Sequence, residues 1–336
     1  MKHILKKLIE NNKFSSDDAK EAMYLIMSGD ATHSQVAAFI TGLRFYGETP
    51  EIISACAEVM REYATPVICN DENAVDIVGT GGDQSNTFNI STTAAFVVAG
   101  AGITVAKHGS YGVSSLCGSA NVLNELGINL EYSPQKMEKC LKEINIAFLF
   151  APSLHPAMRH VVPSRKEIGV WSIFNILGPL CNPSFTKRGI TGVFKTDLLS
   201  IVANSCRDLE CNHQIIVHGK DGLDEITTTD ETLMFEVKNG IIREFTFNPS
   251  ELNIPLSYSD DIKGGSPFQN AVHTRNILAG NEKGSRKDIV LINAAFAIYT
   301  SGKTSSIQDA LAMAEQAIDS GEALKKLDEL IKLSND

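Results

Sequence analysis

Apolar residues repeat along this chain with two different periods, and the change from one to the other falls near residue 66. Before that point they recur three and four positions apart, for example within residues 4–9 and 36–43, which is the period of amphipathic helices. Three helix starts carry capping signals: Ser15 with Asp18, Thr32 with Gln35, and Thr49 with Pro50. Residues 1–66 are therefore predicted to form a small helical domain.

From about residue 67, short β-rich runs alternate with helical stretches, which predicts helices packed on a largely parallel sheet. The predicted strands are AVDIVG, ITVAKHG, IAFLFAP, GITGVF, QIIVHG, TLMFEV and IIREFTF. Lys238-Asn239-Gly240 predicts a hairpin between the last two. The predicted fold class is α/β, with a small N-terminal helical domain and a larger α/β domain, residues 67–336, built on a central, largely parallel sheet.

A glycine-rich turn follows the first predicted strand, within residues 76–92. Three glycines among residues 79–82 permit positive φ and bring the backbone N–H groups close to a ligand. From Asn89 a buried helix is predicted whose first turn favours an anion. A dinucleotide fingerprint would need glycine at Gln84, and a Walker A loop would need Gly-Lys-Ser/Thr. The turn is therefore either a structural connector or a phosphate site that is neither a dinucleotide fingerprint nor a Walker A loop.

A second polar loop follows the next predicted strand, from Lys107 to Ser115. Lys107 offers a point charge to a phosphate group, and Ser114 and Ser115 offer hydroxyl donors. A solvent-exposed, serine-rich loop would have the same composition. Because two such loops follow consecutive strands of an α/β pattern, we favour a ligand site.

Asp224 and Glu225 are adjacent carboxylates that follow another predicted strand. Such a pair can be merely solvated, but Mg²⁺ typically takes one or two carboxylates together with substrate phosphates and water. The sequence contains no GxSxG, no HExxH and no cysteine flanked by a convincing partner. We therefore predict no covalent nucleophile and no obligatory base, and a reaction in which the protein positions its substrates and stabilises charge.

Composition narrows the function classes further. A formal net charge of −10 over 336 residues argues against a nucleic-acid surface, which needs clustered Lys and Arg. The longest nearly unbroken apolar run, residues 94–106, falls short of a membrane span, so no membrane partner is expected. Seven scattered cysteines without a CxxC pair predict reduced packing thiols and a cytoplasmic protein.

The motifs GTGGD, NIST, KHGxxxVSSxxGSA and RKEIGxxSIFNxLGPLxNP resemble those of the anthranilate phosphoribosyltransferases, and the similarity extends over nearly the whole chain. The resemblance implies a helical domain joined by helices around residues 165–185, and a homodimer formed through the helical part. It implies transfer of the phosphoribosyl group of phosphoribosyl pyrophosphate (PRPP) to the amine of anthranilate in tryptophan biosynthesis, with two Mg²⁺ ions on the phosphates.

The resemblance also assigns site residues in this chain. Contacts to PRPP fall on Gly79, Gly82, Asp83, Thr87, Asn89, Ser91, Thr92, Lys107, Ser115 and Ser119. The metal ligands would be Ser91, Asp224 and Glu225. Anthranilate would meet Gly79, His108, Ser110 and Arg165, with Arg165 on its carboxylate and with His155 and Pro179 around the pocket.

Several positions depart from the usual pattern of that family. Ser110, Tyr111 and Gly112 replace the usual residues of the second loop, Asn121 replaces aspartate, and Trp171 replaces arginine. Ser110 stands where the family has an asparagine that contacts the acceptor. Three alternatives therefore stay open: a phosphoribosyltransferase for a different aromatic amine, a pyrimidine nucleoside phosphorylase, and a non-catalytic homologue that binds nucleic acid.

Overall fold

This computed structural model describes residues 1–10, 13–112 and 117–336, and these ranges contain fifteen α-helices, seven strands and three short 3₁₀ helices. The strands are β1 Val75–Gly79, β2 Val105–Gly109, β3 Ile146–Phe150, β4 Arg188–Gly192, β5 His213–Gly219, β6 Thr232–Lys238 and β7 Ile241–Phe247. The first eight helices are α1 Lys2–Ile9, α2 Ser16–Met27, α3 His33–Tyr46, α4 Pro50–Glu62, α5 Ile90–Gly100, α6 Ser119–Glu125, α7 Pro134–Ile144 and α8 Ala151–Leu154. The others are α9 Val162–Ile168, α10 Ile173–Leu180, α11 Asp197–Asp208, α12 Pro267–Leu278, α13 Ser285–Ser301, α14 Ile307–Asp319 and α15 Glu322–Asn335. The 3₁₀ helices are Pro156–His160, Pro249–Leu252 and Ser259–Ile262.

The N-terminal helices begin at the residues that carry the capping signals. Ser15 and Thr32 both form reciprocal capping boxes, at the starts of α2 and α3. The Thr49 hydroxyl accepts from the backbone N–H of Ile52 at the start of α4, which has Pro50 in its first turn. All three predicted helix starts are confirmed, because these side chains satisfy N–H groups that have no partner inside the helix.

All seven predicted strands are present and form one sheet in the described part of the chain, in the order β3-β2-β1-β4-β5-β6-β7. Strands β1 to β5 pair in parallel, whereas β6 and β7 are antiparallel at one edge. At the predicted hairpin, Asn239 and Gly240 both have positive φ, as a two-residue type I′ turn requires. The predicted α/β fold class is confirmed.

Two groups of buried apolar residues make up the core. One lies around the sheet and the helices α5, α13, α14 and α15. The other joins α1 to α4 to residues from α9, α10 and α11, so segments far along the chain complete the helical layer. Helices α9 and α10 cover much of the range 165–185 and contact α3 and α4. The division of the chain at residue 66 stays a prediction.

The direction of chain winding reverses at β1. The chain runs from β1 outward through β2 to β3, and then returns to place β4 on the other side of β1. In open α/β sheets, ligands bind beyond the carboxyl ends of the strands at such a reversal. Among the described residues, no helix is both long and apolar enough to cross a membrane.

Candidate active site

Three segments that were predicted separately meet beyond the carboxyl ends of β1 and β5. Asp224 and Glu225 lie in the loop after β5. The backbone N–H of Gly81 donates to Asp224 Oδ2 at 2.7 Å, and that of Ser91, in the first turn of α5, donates to Glu225 Oε1 at 3.2 Å. The acid pair therefore contacts both the glycine-rich turn and the helix N-terminus that were predicted to bind phosphate.

The first residue of the glycine-rich turn approaches the acid pair so closely that a side chain has no room there. A Cβ atom on Gly79 would collide with the carboxylate of Asp224. Gly81 and Gly82 have φ angles of +64° and +91°, a region that favours glycine. Asp83 follows them, and its carboxylate lies beside that of Asp224. The backbone of the turn is thus held against the carboxylates, as a site for phosphate and metal together requires.

Both carboxyl groups of the pair have raised pKa values. Burial, followed by the negative charge of Asp83, raises the pKa of Asp224 to about 7. Burial, followed by the charge of Asp224, raises the pKa of Glu225 to about 8. Both residues are half-buried, so a freely solvated pair, the alternative left open by the sequence, does not describe them. A nearby cation would favour the ionised form of both carboxyl groups.

The donor set fits Mg²⁺. Within the described ranges no three His, Cys, Asp or Glu side chains are arranged as a metal-binding cluster. Mg²⁺ needs fewer protein ligands than that, because it keeps several waters and binds through one or two carboxylates plus substrate phosphates. Asp224 and Glu225 supply those carboxylates, and Ser91 lies within hydrogen-bond distance of Glu225 through its backbone. The ligand roles of these three residues stay a prediction.

The segment that leads into α5 is fixed by side-chain and backbone contacts. Asn89 Nδ2 donates to the carbonyl of Cys117, and Asn89 Oδ1 accepts from Asn270 Nδ2, both at 3.0 Å. Thr87 forms an isolated backbone bridge with Lys263. Ser91 is half-buried at the start of the helix, whereas Thr92 is buried. The structure brings Asn89 and Ser91 to the helix N-terminus, but it turns the side chain of Thr92 into the protein.

The second predicted loop is tied to the start of α6. Ser119 Oγ and the backbone N–H of Ala120 both donate to the carbonyl of Ser110 at 3.1 Å. Asn121 Oδ1 accepts from the N–H groups of Gly118 at 3.0 Å and Gly112 at 3.3 Å. Ser114 and Ser115 lie outside the described residues. Asn121, a departure from the family pattern, therefore serves as a cap that fixes the loop.

Lys107 lies in β2 and not in the loop after it, contrary to the expectation of a loop lysine facing a phosphate group. The side chain is buried, and Nζ donates to the carbonyl of Ile77 at 2.5 Å. Burial lowers its pKa, while the charges of Asp76 and Glu225 act against that shift. Its charge therefore lies inside the sheet beside the acid pair. A contact between Lys107 and PRPP stays a prediction.

Asp76 is a buried carboxylate beneath the site that reasoning from the sequence did not single out. Its Oδ1 accepts from the backbone N–H of His108 at 3.1 Å, and its Oδ2 accepts from Asn182 Nδ2 at 2.7 Å. Burial raises its pKa to about 6, although Lys107 acts in the opposite direction. The sequence feature that could have indicated its role is a charged residue inside an otherwise apolar strand. Asp76 links β1, β2 and the segment after α10.

His108 and His155 form a buried pair beside α10, with ring centroids 5.1 Å apart. His108 Nδ1 lies 3.2 Å from the carbonyl of Gly178, which precedes Pro179. Burial lowers the pKa of His108 to about 3 and that of His155 to about 4, so both rings are neutral at pH 7. Neither Nε2 atom has a hydrogen-bond partner among the described residues. The pair is therefore uncharged and buried, with two ring nitrogens next to α10 left without a partner in the described part of the chain.

Arg165 is a half-buried cation in α9. Its Nη2 donates to Asn175 Oδ1 at 3.3 Å, and its guanidinium lies 5.7 Å from the centroid of the Phe174 ring. It forms no ion pair with any carboxylate in the part of the chain that the structure describes. Burial lowers its pKa. A guanidinium held by an amide and an aromatic ring, without an acid, is suited to bind a ligand carboxylate.

Trp171, the single tryptophan of the chain, packs against Arg44 of the helical layer and against Phe194, which in turn contacts the glycine-rich turn. The guanidinium of Arg44 lies 4.6 Å from its ring centroid, and the Phe194 ring centroid lies 5.4 Å away on another side. The backbone N–H of Phe194 donates to Thr80 Oγ1 at 3.3 Å. Tyr111, by contrast, is half-exposed and meets the edge of Phe150 at 5.2 Å. The departure at Trp171 is therefore accommodated by aromatic and cation–π packing.

In the absence of divalent cations, the protein is expected to lose stability between pH 6.5 and 8. The folded pKa values of Asp224 and Glu225, about 7 and about 8, lie above the ordinary values of 3.8 and 4.5, so the favourable protonated forms are lost as the pH rises. The lowered pKa values of His108 and His155 make stability rise with pH, but only below the ordinary histidine pKa of 6.5. Melting temperatures at the two pH values measure the effect. An Asp224→Asn/Glu225→Gln variant should show a smaller drop, and an equal drop would contradict the assignment.

Comparison with known proteins identifies the family. Residues 71–324 match the family model described as "Glycosyl transferase family, a/b domain", and residues 2–64 match "Glycosyl transferase family, helical bundle domain". A protein named anthranilate phosphoribosyltransferase from Alkaliphilus metalliredigens is 45% identical over 336 residues, which cover 100% of this chain and 99% of the relative. This chain belongs to the anthranilate phosphoribosyltransferase family. The resemblance stated from the motifs is confirmed.

Solved structures of anthranilate phosphoribosyltransferases have the same fold. The enzyme from Thermus thermophilus has a TM-score of 0.94 at 37% identity, and the match covers 99% of both chains. The enzyme from Saccharomyces cerevisiae in complex with PRPP and Mg has a TM-score of 0.92 at 28% identity, over 99% of this chain and 97% of the other. The agreement over nearly the full length confirms the combination of a small helical domain with a larger α/β domain.

Proposed function

We propose that this protein is an anthranilate phosphoribosyltransferase. It transfers the phosphoribosyl group of PRPP to the amine of anthranilate and gives N-(5-phosphoribosyl)anthranilate and pyrophosphate, a step of tryptophan biosynthesis. The observation that carries the proposal is the contact of Asp224 and Glu225 with the glycine-rich turn and with the N-terminus of α5. A carboxylate pair beside two sets of backbone N–H groups is suited to a metal-bound polyphosphate.

The reaction breaks the bond between C1 of the ribose and the pyrophosphate oxygen and forms a bond between C1 and the anthranilate nitrogen, which loses a proton. The N–H groups of Gly81 and Ser91 donate to the acid pair, so in this proposal the other N–H groups of the glycine-rich turn and of the first turn of α5 hold the departing pyrophosphate. Ser91, Asp224 and Glu225 would hold Mg²⁺, two ions in this proposal, and the bound metal would supply positive charge for the leaving group. Gly79 lies directly against the carboxylate of Asp224, so the glycine backbone and the acid pair border the same part of the site.

The acceptor lies on the side of α9 and α10. Arg165 binds its carboxylate, because this guanidinium has no protein acid among the described residues as a partner. The neutral His108 and His155 rings border the aromatic ring of the acceptor, with Ser110 and Pro179 nearby. The amine of anthranilate is already a neutral nucleophile, so positioning is sufficient and no strong base is required.

Replacing Arg165 with alanine is expected to raise the KM for anthranilate and to leave the KM for PRPP nearly unchanged. A charge-assisted hydrogen bond contributes about 1.5–3 kcal/mol, which corresponds to roughly 10- to 100-fold in kcat/KM for the acceptor. Steady-state kinetics with each substrate varied in turn measures the effect. Arg159→Ala is the matched control, because Arg159 is exposed nearby and contacts only His160 among the described residues. An unchanged acceptor KM in Arg165→Ala would rule out the assignment.

Loss of anthranilate fluorescence on addition of PRPP and Mg²⁺ tests the proposed reaction directly. Other aminobenzoates, assayed in parallel, decide whether Ser110, Tyr111 and Trp171 shift the preference to a different aromatic amine. Phosphorolysis of a pyrimidine nucleoside without PRPP would instead identify a nucleoside phosphorylase. Nanomolar oligonucleotide binding without pyrophosphate release would identify a non-catalytic homologue.

The oligomeric state and the compartment belong to the same proposal. We expect a homodimer formed through the helical part, where Phe45 on α3 is 89% exposed and Val170 is 61% exposed. We propose that these two side chains belong to that interface, because contiguous exposed apolar patches mark protein–protein contacts. All seven cysteines are free thiols in the described structure, which is consistent with the proposed cytoplasmic location. Light scattering of the intact protein at the mass of one chain would contradict the dimer.

A further inference from the structure

The loop that carries the acid pair is held by a helix on the far side of the site. Asn293 lies in α13 and is fully buried. Its Oδ1 accepts from the backbone N–H of Ile226 at 3.1 Å, and its Nδ2 donates to the carbonyls of Ile226 and Ile289, both at 2.8 Å. The amide therefore satisfies both backbone groups of Ile226, as a neighbouring strand would. Ile226 follows Glu225 directly, so the bond fixes one end of the pair.

The other end of the pair is fixed by a carboxylate in the same loop. Asp221 Oδ1 accepts from the backbone N–H of Leu223 at 3.2 Å, and the N–H of Gly219 donates to the carbonyl of Leu223 at 2.9 Å. Asp221 Oδ2 accepts from Thr227 Oγ1 at 2.6 Å and also from Thr229 Oγ1. Both residues that flank Asp224 and Glu225 thus have their backbones tied down, Leu223 on one side and Ile226 on the other.

These bonds oppose a repulsion that the metal site itself creates. The carboxylate of Asp83 lies beside that of Asp224, and Glu225 is the next residue in the chain. Ionised carboxylates in that position repel one another and tend to move apart towards solvent. The bonds to Ile226 resist this movement, because releasing them would leave a buried N–H and a buried carbonyl without partners. The loop therefore stays in its cation-binding form before the cation arrives.

We infer that Asn293 and Asp221 are positioning residues for the metal-binding acid pair, and that Asn293 sets the metal affinity from α13 without touching the metal or the substrate. This inference rests on the proposed function. It assigns to the residues a role beyond packing, since polar groups that orient metal ligands typically change metal affinity 10- to 100-fold when they are replaced.

The test measures Mn²⁺ binding by electron paramagnetic resonance of free Mn²⁺, with PRPP present, for the intact protein. Asn293→Ala is expected to weaken Mn²⁺ binding about 10-fold or more. The Mg²⁺ concentration for half-maximal turnover should rise in parallel, and kcat should recover largely at saturating Mg²⁺. Asn204→Ala is the matched control, because among the described residues the Asn204 amide bonds only to Ser200 in its own helix. It should bind Mn²⁺ like the wild type.

Asp221→Ala is a second variant that keeps the inference testable if Asn293→Ala does not fold, because Asp221 lies on an exposed part of the loop. It should weaken Mn²⁺ binding in the same direction, and Asp221→Asn should restore much of it. If Asn293→Ala folds and its Mn²⁺ affinity is unchanged, the inference is overturned. If Asn293→Ala does not fold, an unchanged Mn²⁺ affinity in Asp221→Ala overturns it. A failure of the proposed function would be seen in a different variant. If the acid pair does not bind the metal, Asp224→Asn/Glu225→Gln would bind Mn²⁺ as tightly as the wild type.

Discussion

The double substitution Asp224→Asn/Glu225→Gln is expected to lower kcat about 10²- to 10³-fold, the typical cost of removing a group that stabilises transition-state charge. The protein should stay folded, because both side chains keep their shape and lose a charge that burial disfavours. At pH 8, where the wild-type Asp224 is mostly ionised and Glu225 partly ionised, both at a cost from burial, the free energy of unfolding of the variant should equal or exceed that of the wild type. Turnover at saturating Mg²⁺ and urea unfolding measure the two effects.

The chain provides a matched control for that variant a few residues further along. Asp230 and Glu231 are also adjacent acids, but Glu231 forms a surface ion pair with Lys220 at 2.6 Å. Exposed pairs of this kind contribute little to stability. Asp230→Asn/Glu231→Gln should therefore leave kcat close to that of the wild type. If both double variants lost the same activity, or if the first variant unfolded, the metal role of the pair would be wrong.

Replacing Gly192 with alanine is expected to destabilise the protein by about 3 kcal/mol or more, beyond the usual cost of a surface substitution. Gly192 ends β4, and a Cβ atom there would overlap the backbone carbonyl of Asp224. A backbone atom cannot rotate away as a flexible side chain can. The strand end or the acid loop must move, so activity at saturating Mg²⁺ should fall together with stability.

Gly178→Ala is the stability control for that substitution. Gly178 lies in α10, and no described atom lies within 4 Å of the Cβ that alanine would add. Alanine is favoured over glycine inside helices by about 0.5–1 kcal/mol, so this variant should be as stable as the wild type or slightly more so. Chemical unfolding of both variants gives the comparison. A Gly192→Ala protein as stable as Gly178→Ala would show that the contact between β4 and Asp224 is not rigid.

The close contact at Gly192 also shows where reasoning from the sequence stopped. The pattern GITGVF predicted a strand, and β4 is that strand. Nothing in the pattern indicated that the last glycine would lie against Asp224, because that contact depends on how the loop after β5 folds back. The same holds for Asn293, whose position in a long apolar helix predicts only burial.

The sequence by itself determined the elements and the chemistry they carry. Local sequence patterns predicted the strands, the separate glycine-rich and acidic segments, and the capped helices at Ser15, Thr32 and Thr49. They could do so because caps, turns and hydrophobic periods depend on residues a few positions apart. The family also followed from short motifs. The roles of individual residues towards PRPP, metal and anthranilate stay predictions that the experiments above test.

Only the tertiary structure decided how these parts come together. Gly81 and Asp224 are 143 positions apart in the chain, and Ser91 and Glu225 are 134 apart, yet both pairs are hydrogen-bonded. Their meeting depends on β4 returning to pair beside β1, a crossover that no local pattern specifies. Burial of Lys107 and the raised pKa values of the acid pair follow from the same packing, since both depend on which groups exclude water. The sequence thus supplies the site's residues, and long-range packing sets their geometry and charge.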